Sequence, residues 1–310
     1  MNLTSSSATG TITVSRDGDG AITANSSATG VATTSVSGTT VTVTAIADGS
    51  ATITVKMNQG TNYTAYTASD KTVSVSASGF DSQVCALSAA TTSNTSVGNI
   101  ICSNGHVHTS ANPNCGGTAV GIVAYVGNGE ANNSYNRGLA LSMSDLTSAA
   151  DTKWRSSGSG TDLTNQYSSL TSECLADLNG LSYTDVLIGK GASYPAAQKI
   201  AAYRTSCSVP SGCSSWFLPT IGQWSLILQG LTGKNTALST GTNNDYKGGA
   251  INTILEGFAG TSARMKSDSG GFWSSTEGSA GLAWGMDFSD GDADNNGETN
   301  NLRVRAVLAF

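Results

Sequence analysis

The chain is 310 residues long, enough for two domains of ordinary size. Charged residues make up 12 % and hydrophobic residues 38 %, with 37 glycines, four prolines, a formal charge of −6 and a pI near 4.8. That balance excludes a nucleic-acid or anionic-lipid surface, which needs clustered Lys and Arg, and no apolar run approaches the roughly 20 residues that span a bilayer.

Met1-Asn2-Leu3-Thr4-Ser5-Ser6 has neither a basic n-region nor an apolar h-region, so no signal peptide is expected. That fits a virion protein assembled in the cytoplasm, and equally a chain whose leader has been removed. Residues 11–76 alternate apolar residues with Thr and Ser in Thr11–Val14, Thr40–Thr44 and Ala51–Val55, a period of two that puts one set in a core. Turn signals fall at Asp17-Gly18-Asp19-Gly20, Asp48-Gly49-Ser50 and Asn58-Gln59-Gly60. A last strand, Lys71–Ser76, leads to the small linker Ala77-Ser78-Gly79. Six or seven short strands predict an all-β immunoglobulin-like sandwich over residues 1–79. Gly49–Val55 also resembles the bacterial immunoglobulin-like domains of adhesins and phage structural proteins. With no Cys or His, this domain reads as a spacer or attachment module.

Residues 80–310 mix β segments with helices. Tyr194–Arg204 opens near Pro195, a residue favoured in a first helical turn. Thr220-Ile221-Gly222-Gln223 has capping-box spacing, and Ile221, Trp224, Ile227, Leu228 and Leu231 share one face, with Gly230 and Gly233 as stops. Ala250–Phe258 repeats the period with Ile251, Ile254, Leu255 and Phe258. All six cysteines, Cys85, Cys102, Cys115, Cys174, Cys207 and Cys213, lie here. Cys207 and Cys213 form the candidate disulfide, since Pro210 and Gly212 can turn the chain between them. Free thiols are the alternative for a protein folded in a reducing compartment. Cys102, His106, His108 and Cys115 are the only soft-ligand cluster, but their intervals depart from the tight pairs of a structural zinc site, and a polar hairpin tip explains them better.

The tail carries most of the information. Phe272-Trp273-Ser274-Ser275-Thr276-Glu277 and Ala283-Trp284-Gly285-Met286-Asp287-Phe288 precede a small polar run from Ser289 to Asn301, and Arg303–Phe310 closes the chain as a strand. Trp284, Met286 and Phe288 alternate with Gly285 and Asp287, so one face is core and the other is free to vary. The alternation predicts that Trp273, Trp284, Phe288 and Val304 pack inside, while Asp287, Ser289, Asp290, Asp292 and Asp294 point to solvent. Asp290–Glu298 begins like an EF-hand loop, but Asn295 stands where the turn needs Gly and Asn301 where the bidentate Glu should be, so no metal is assigned.

This tail, with Trp216-Phe217-Leu218-Pro219-Thr220, Trp224, the run Thr118–Gly127 and Gly138-Leu139-Ala140-Leu141, resembles the variable proteins of diversity-generating retroelements, in their gut Bacteroides and phage forms. The resemblance spans roughly residues 80–310. It implies an α+β C-type lectin-like domain whose segment from about 272 to 301 is a diversified binding face, because substitution at adenines turns Asn codons into Asp, Ser, Gly, Thr and Tyr codons. The implied ligand-binding positions are Phe272, Gly278, Ser279, Gly281, Leu282, Gly285, Asp287, Ser289, Asp290, Asp292, Asp294, Asn295, Asn296 and Glu298. The calcium-chelating tripeptides of sugar-binding C-type lectins are absent; Asn112-Pro113-Asn114 and Asn243-Asn244-Asp245 do not match them. The expectation is thus a receptor-binding display protein on a virion or cell surface, with no catalytic residue and no cofactor. Its partner would be a cell-surface protein or glycan, and neither nucleic-acid binding nor membrane insertion is expected. Homo-oligomeric display on a particle would raise the avidity of a modest site. The alternatives are an invariant adhesive or structural protein of the same fold and an enzyme of the formylglycine-generating type. The enzyme needs reactive thiols near the C-terminal core, whereas the last cysteine here is Cys213.

Overall fold

The chain forms two compact units, Met1–Ser82 and the segments Gln83–Asn112 with Thr118–Phe310. This computed structural model describes all residues except 4–7, 17, 47–48, 62–70, 78–82, 87–89, 91–93, 110–117, 133, 148–150 and 266–270, and only the backbone of 71, 72, 77 and 83–86. Asp17, Asp48, Ser78-Gly79, Asn112-Pro113-Asn114 and Cys115 therefore lie outside the described residues, as does the side chain of Cys85.

The first unit is all β. Its strands are β1 (Asn2–Leu3), β2 (Thr9–Thr13), β3 (Ile22–Ser26), β4 (Ala32–Ser37), β5 (Thr40–Ala45), β6 (Gly49–Met57) and β7 (Lys71–Ala77). They make two sheets, ordered β1-β7-β6-β3 and β2-β5-β4. β1 runs parallel to β7 and the other pairs are antiparallel. Alternation decides which residues enter the core: Val41, Val43 and Ala45 of β5 and Ala51, Ile53 and Val55 of β6 are buried, while Thr52 is exposed. Leu3, Ile22, Ala32 and Val75 complete one core shared by both sheets.

The second unit is α+β. Its strands begin with β8 (Gln83–Ala86), β9 (Ile100–Cys102), β10 (His106–His108), β11 (Ala119–Val126), β12 (Gly138–Ser142) and β13 (Thr152–Lys153). Helices α1 (Ser172–Ala176), α2 (Gly180–Gly189), α3 (Pro195–Ser206), α4 (Ile221–Thr232) and α5 (Gly248–Ala259) follow. The chain ends with β14 (Gly271–Ser279), β15 (Leu282–Asp287), β16 (Asp292–Gly297), β17 (Asn301–Leu302) and β18 (Val307–Ala309). β18, β12, β11, β9, β10 and β8 form the central sheet in that order, so the last strand pairs with β12. β12 is buried at every position, which is why it reads as an unbroken apolar run.

α4 is the best-specified helix. The Thr220 hydroxyl accepts from the Gln223 amide while Gln223 Oε1 accepts from the Thr220 N–H, closing the capping box. Gly233 ends the helix at φ 65°. Gly230 does not stop it. A Cβ there would stand 2.1 Å from the Ala124 carbonyl oxygen, so this glycine lets the helix lie directly on β11. α1 and α2 were not anticipated.

All five tryptophans are buried, each at 2 % exposure or less. Each indole N–H donates to a backbone carbonyl: Trp154 to Ser274, Trp216 to Cys207, Trp224 to Trp273, Trp273 to Thr152 and Trp284 to Tyr167. A large apolar ring with one satisfied donor can be buried without an orphaned polar group. Four of these bonds, all but that of Trp216, tie distant segments to the C-terminal sheet.

Candidate functional site

The C-terminal sheet has the order β14-β15-β16, leaving β16 at its edge. Trp284 pairs with Asn295, Gly285 with Asp294, Met286 with Ala293 and Asp287 with Asp292. Beneath it, Phe272, Phe288 and Trp224 meet in a ring cluster with centroids 5.5–6.1 Å apart. β14 is buried from Gly271 to Gly278 despite Ser274, Ser275, Thr276 and Glu277. Most of those polar groups have partners elsewhere. Ser274 Oγ donates to the Trp284 carbonyl, Thr276 Oγ1 accepts from the Ile221 N–H, and the Glu277 carboxylate accepts from the Asp162 and Leu163 N–H groups at 2.8–3.0 Å.

Two loops rise beside this frame. The first runs through residues 162–170. Beyond the Glu277 clasp, the Tyr167 N–H donates to the Glu277 carbonyl, and the Trp284 indole reaches the Tyr167 carbonyl at 2.6 Å. The second runs from 238 to 248. The Asn243 and Gly248 N–H groups donate to the carbonyls of Asp290 and Phe288, and the Ala293 N–H donates to the Ser239 carbonyl. Between them lies an open cleft of about 660 Å³, lined by Ser168, Ser169, Leu170, Leu238, Ser239, Thr240, Trp284, Asp294 and Asn295. The lining is hydroxyl-rich around a small apolar floor, with one carboxylate and one amide. The Asn295 Oδ1 has no hydrogen-bond partner.

The charge around this cleft is one-sided. Asp292 is 8 % exposed, and its Oδ1 has no partner. Burial first, then the Asp290 carboxyl and the charges of Asp294, Asp290 and Asp287, push its pKa up to about 7. Burial and the same two neighbours, Asp290 and Asp287, raise that of Asp294. Beyond the other end of β16, Glu298 is buried with Arg155 Nη1 3.7 Å away. Arg155 is itself 2.8 Å from Asp162. Burial raises Glu298 to about 7, with Arg155 opposing. No group of three His, Cys, Asp or Glu side chains among the described residues is placed to hold a metal ion.

No protein-family model matches the sequence, and no curated protein matches it. Among solved structures, a fimbrial protein from Bacteroides ovatus ATCC 8483 aligns with 88 % of this chain at 15 % identity and a TM-score of 0.46. The alignment covers 59 % of that protein's chain. A likeness at this level fixes neither a family nor a function. Among the described residues no helix is long and apolar enough to cross a membrane.

The expected binding positions divide in two. Ser279, Gly281, Leu282, Asp287, Ser289, Asp290, Asp294, Asn295 and Asn296 reach the surface fully or in part, and Asp294 and Asn295 enter the cleft. Phe272, Gly278, Gly285, Asp292 and Glu298 do not lie on a free face. Phe272 belongs to the ring cluster. A Cβ on Gly278 would stand 2.0 Å from Asn295 Oδ1, and one on Gly285 would stand 2.8 Å from Leu302 Cδ1. Asp292 lies opposite Asp287 under the loop at Ser239. The predicted inside set holds: Trp273, Trp284, Phe288 and Val304 are all buried.

The expected bridge between Cys207 and Cys213 is absent, since both are free thiols. Backbone bonds close that loop instead: the Trp216 indole binds the Cys207 carbonyl and the Cys213 N–H binds the Pro210 carbonyl. Cys102 is in a disulfide whose partner lies outside the described side chains. The cleft walls at 168–170 and 238–240 were missed, although Ser168-Ser169-Leu170-Thr171-Ser172 and Leu238-Ser239-Thr240-Gly241-Thr242 repeat the small polar composition of the tail.

Proposed function

We propose that this is a ligand-binding surface protein: an immunoglobulin-like N-terminal spacer followed by a C-type lectin-like domain that displays its C-terminal sheet edge to a receptor. One observation carries the reading. The β16 edge and its turns present Ser289, Asp294, Asn296, Thr299 and Asn300 at the surface or partly exposed, while the aromatic frame beneath them is wholly buried. Such a surface can change its side chains without reaching the core. The reading is of a binding protein rather than an enzyme. It is supported by the thiols of Cys174 and Cys213, which burial pushes up to about 12, far from the thiolate range catalysis uses.

Diversification of this face by a retroelement is the finer form of the proposal. Sequencing the locus from many isolates tests it: variation should concentrate in the codons for Ser289, Asp290, Asp294, Asn295 and Asn296 and spare Trp273, Trp284 and Phe288. The second reading, an invariant adhesive protein, is favoured by the close packing at Gly278 and Gly285, which leaves little room for replacement there. A uniform tail across isolates would select it.

A further inference from the structure

Four carboxylates fall within eight residues on this edge, and none makes an ion pair among the described residues: Asp287, Asp290, Asp292 and Asp294. Asp287 and Asp292 are cross-strand partners, and Asp294 follows Asp292 on the same face of β16 because strand side chains repeat every second residue. Asp290 sits in the turn, with its Oδ1 3.4 Å from the Asp292 amide nitrogen. Of the four, Asp292 is more than nine-tenths buried and keeps an Oδ1 without a partner. Burying a carboxyl among like charges is costly unless an opposite charge arrives. The packed loop carries one cation, Lys247, which makes no ion pair with any of the four among the described residues, and its Asp245 is engaged by Thr236 and Lys234.

We propose that this carboxylate row, with the adjoining cleft that Asp294 enters, binds cationic side chains of an extended segment in a partner protein. The inference rests on the display-face reading and names the chemistry of its ligand. A metal ion is the wrong size of answer, because the carboxylates are strung along the edge and do not converge on a point. Asp292 and Asp294 are about 7 Å apart along the strand. Lys or Arg side chains on one face of an extended peptide repeat at the same distance. The hydroxyls of Ser239 and Thr240 add acceptors for the remaining N–H groups. Charge capture would draw Asp292 into its ionised form, so binding should release a proton.

The test uses the full chain and three probes: an alternating Gly-Lys hexapeptide, its Gly-Glu counterpart and a panel of neutral saccharides. The Gly-Lys peptide should bind, weaken as salt rises, and weaken about tenfold from pH 8 to pH 6 as Asp292 takes up its proton. Asp290→Asn with Asp294→Asn should reduce its affinity at least tenfold. Glu173→Gln with Asp185→Asn, which removes two exposed carboxylates from α1 and α2, should leave it unchanged. Equal losses in the two double variants would reduce the effect to net charge and overturn the proposal, as would absence of Gly-Lys binding. If a saccharide binds and Ser239→Ala or Thr240→Ala weakens it, the cation assignment falls and the display-face reading stands. If no probe and no cell-surface binding responds to substitutions at Ser239, Thr240 or Asp294, both fall.

Discussion

Asp292 and Glu298 stand at the two ends of β16, and burial pushes their carboxyls up to about 7, above their ordinary 3.8 and 4.5. A raised carboxyl makes the folded chain hold more protons than the unfolded one. Its contribution to stability is therefore complete below the unfolded pKa and is lost as pH rises through about 7. Replacing either by its neutral isostere mimics the protonated form. Asp292→Asn and Glu298→Gln should each raise the Tm relative to the parent at pH 8, and that advantage should shrink steadily as pH falls and vanish only below the unfolded pKa, as followed by thermal melts from pH 8 downward. An equal cost at every pH would mean that the carboxylates are charged and well paired. This residue-level arrangement was hidden in the sequence. The Asp/Asn/Gly run reads as a solvated loop, and only the fold shows Ser239 and Asn243 covering Asp292 and Arg155 facing Glu298 from more than a hundred residues away.

Elements whose signals are local were legible. α4 announces its own start through Thr220 and Gln223, and its five expected apolar positions are buried. Replacing Thr220 by Ala should cost about 1–2 kcal/mol for the cap alone. The cost should lie at the upper end, because the hydroxyl also donates to the Asp177 carbonyl at 2.6 Å; equilibrium unfolding in urea measures it. Gly230→Ala separates helix propensity from packing. Propensity favours the change by about 1 kcal/mol, yet the new Cβ would enter the Ala124 carbonyl, so the variant should be less stable than the parent. A more stable variant would show that α4 can move off β11 at little cost. α1, α2, β3 and β4 were not read. β3 and β4 hold few large apolar residues, and β4 is placed by contacts such as Thr34 Oγ1 to the Ala24 carbonyl. α2 buries Gly180, Tyr183, Thr184 and Leu187, a stripe with one aliphatic side chain. β14 likewise buries polar residues whose partners lie across the fold.

At the scale of the molecule, two separate cores imply two folding units. Residues 83–310 expressed alone should keep a cooperative melt, and loss of that transition would show that the second unit depends on the first. The change from Thr-rich alternation to helical periods near residue 80 made a division visible, because composition reports on local structure. The cleft was not visible, because its walls come from segments about 70 residues apart that only the fold brings to one edge. The most direct measurement compares two sets of substitutions on the same chain. In one, Ser289, Asp294, Asn296, Thr299 and Asn300 are replaced together by Tyr; in the other, Trp284 alone becomes Ala. A buried aromatic truncated to Ala typically costs about 3–5 kcal/mol, whereas surface changes stay within about 0.5 kcal/mol each. Thermal melts should show the five-fold Tyr variant within a few degrees of the parent while its binding to receptor-bearing cells changes, and Trp284→Ala should melt far lower. If the Tyr variant unfolds as readily as Trp284→Ala, this edge is part of the core and the display-face reading is contradicted.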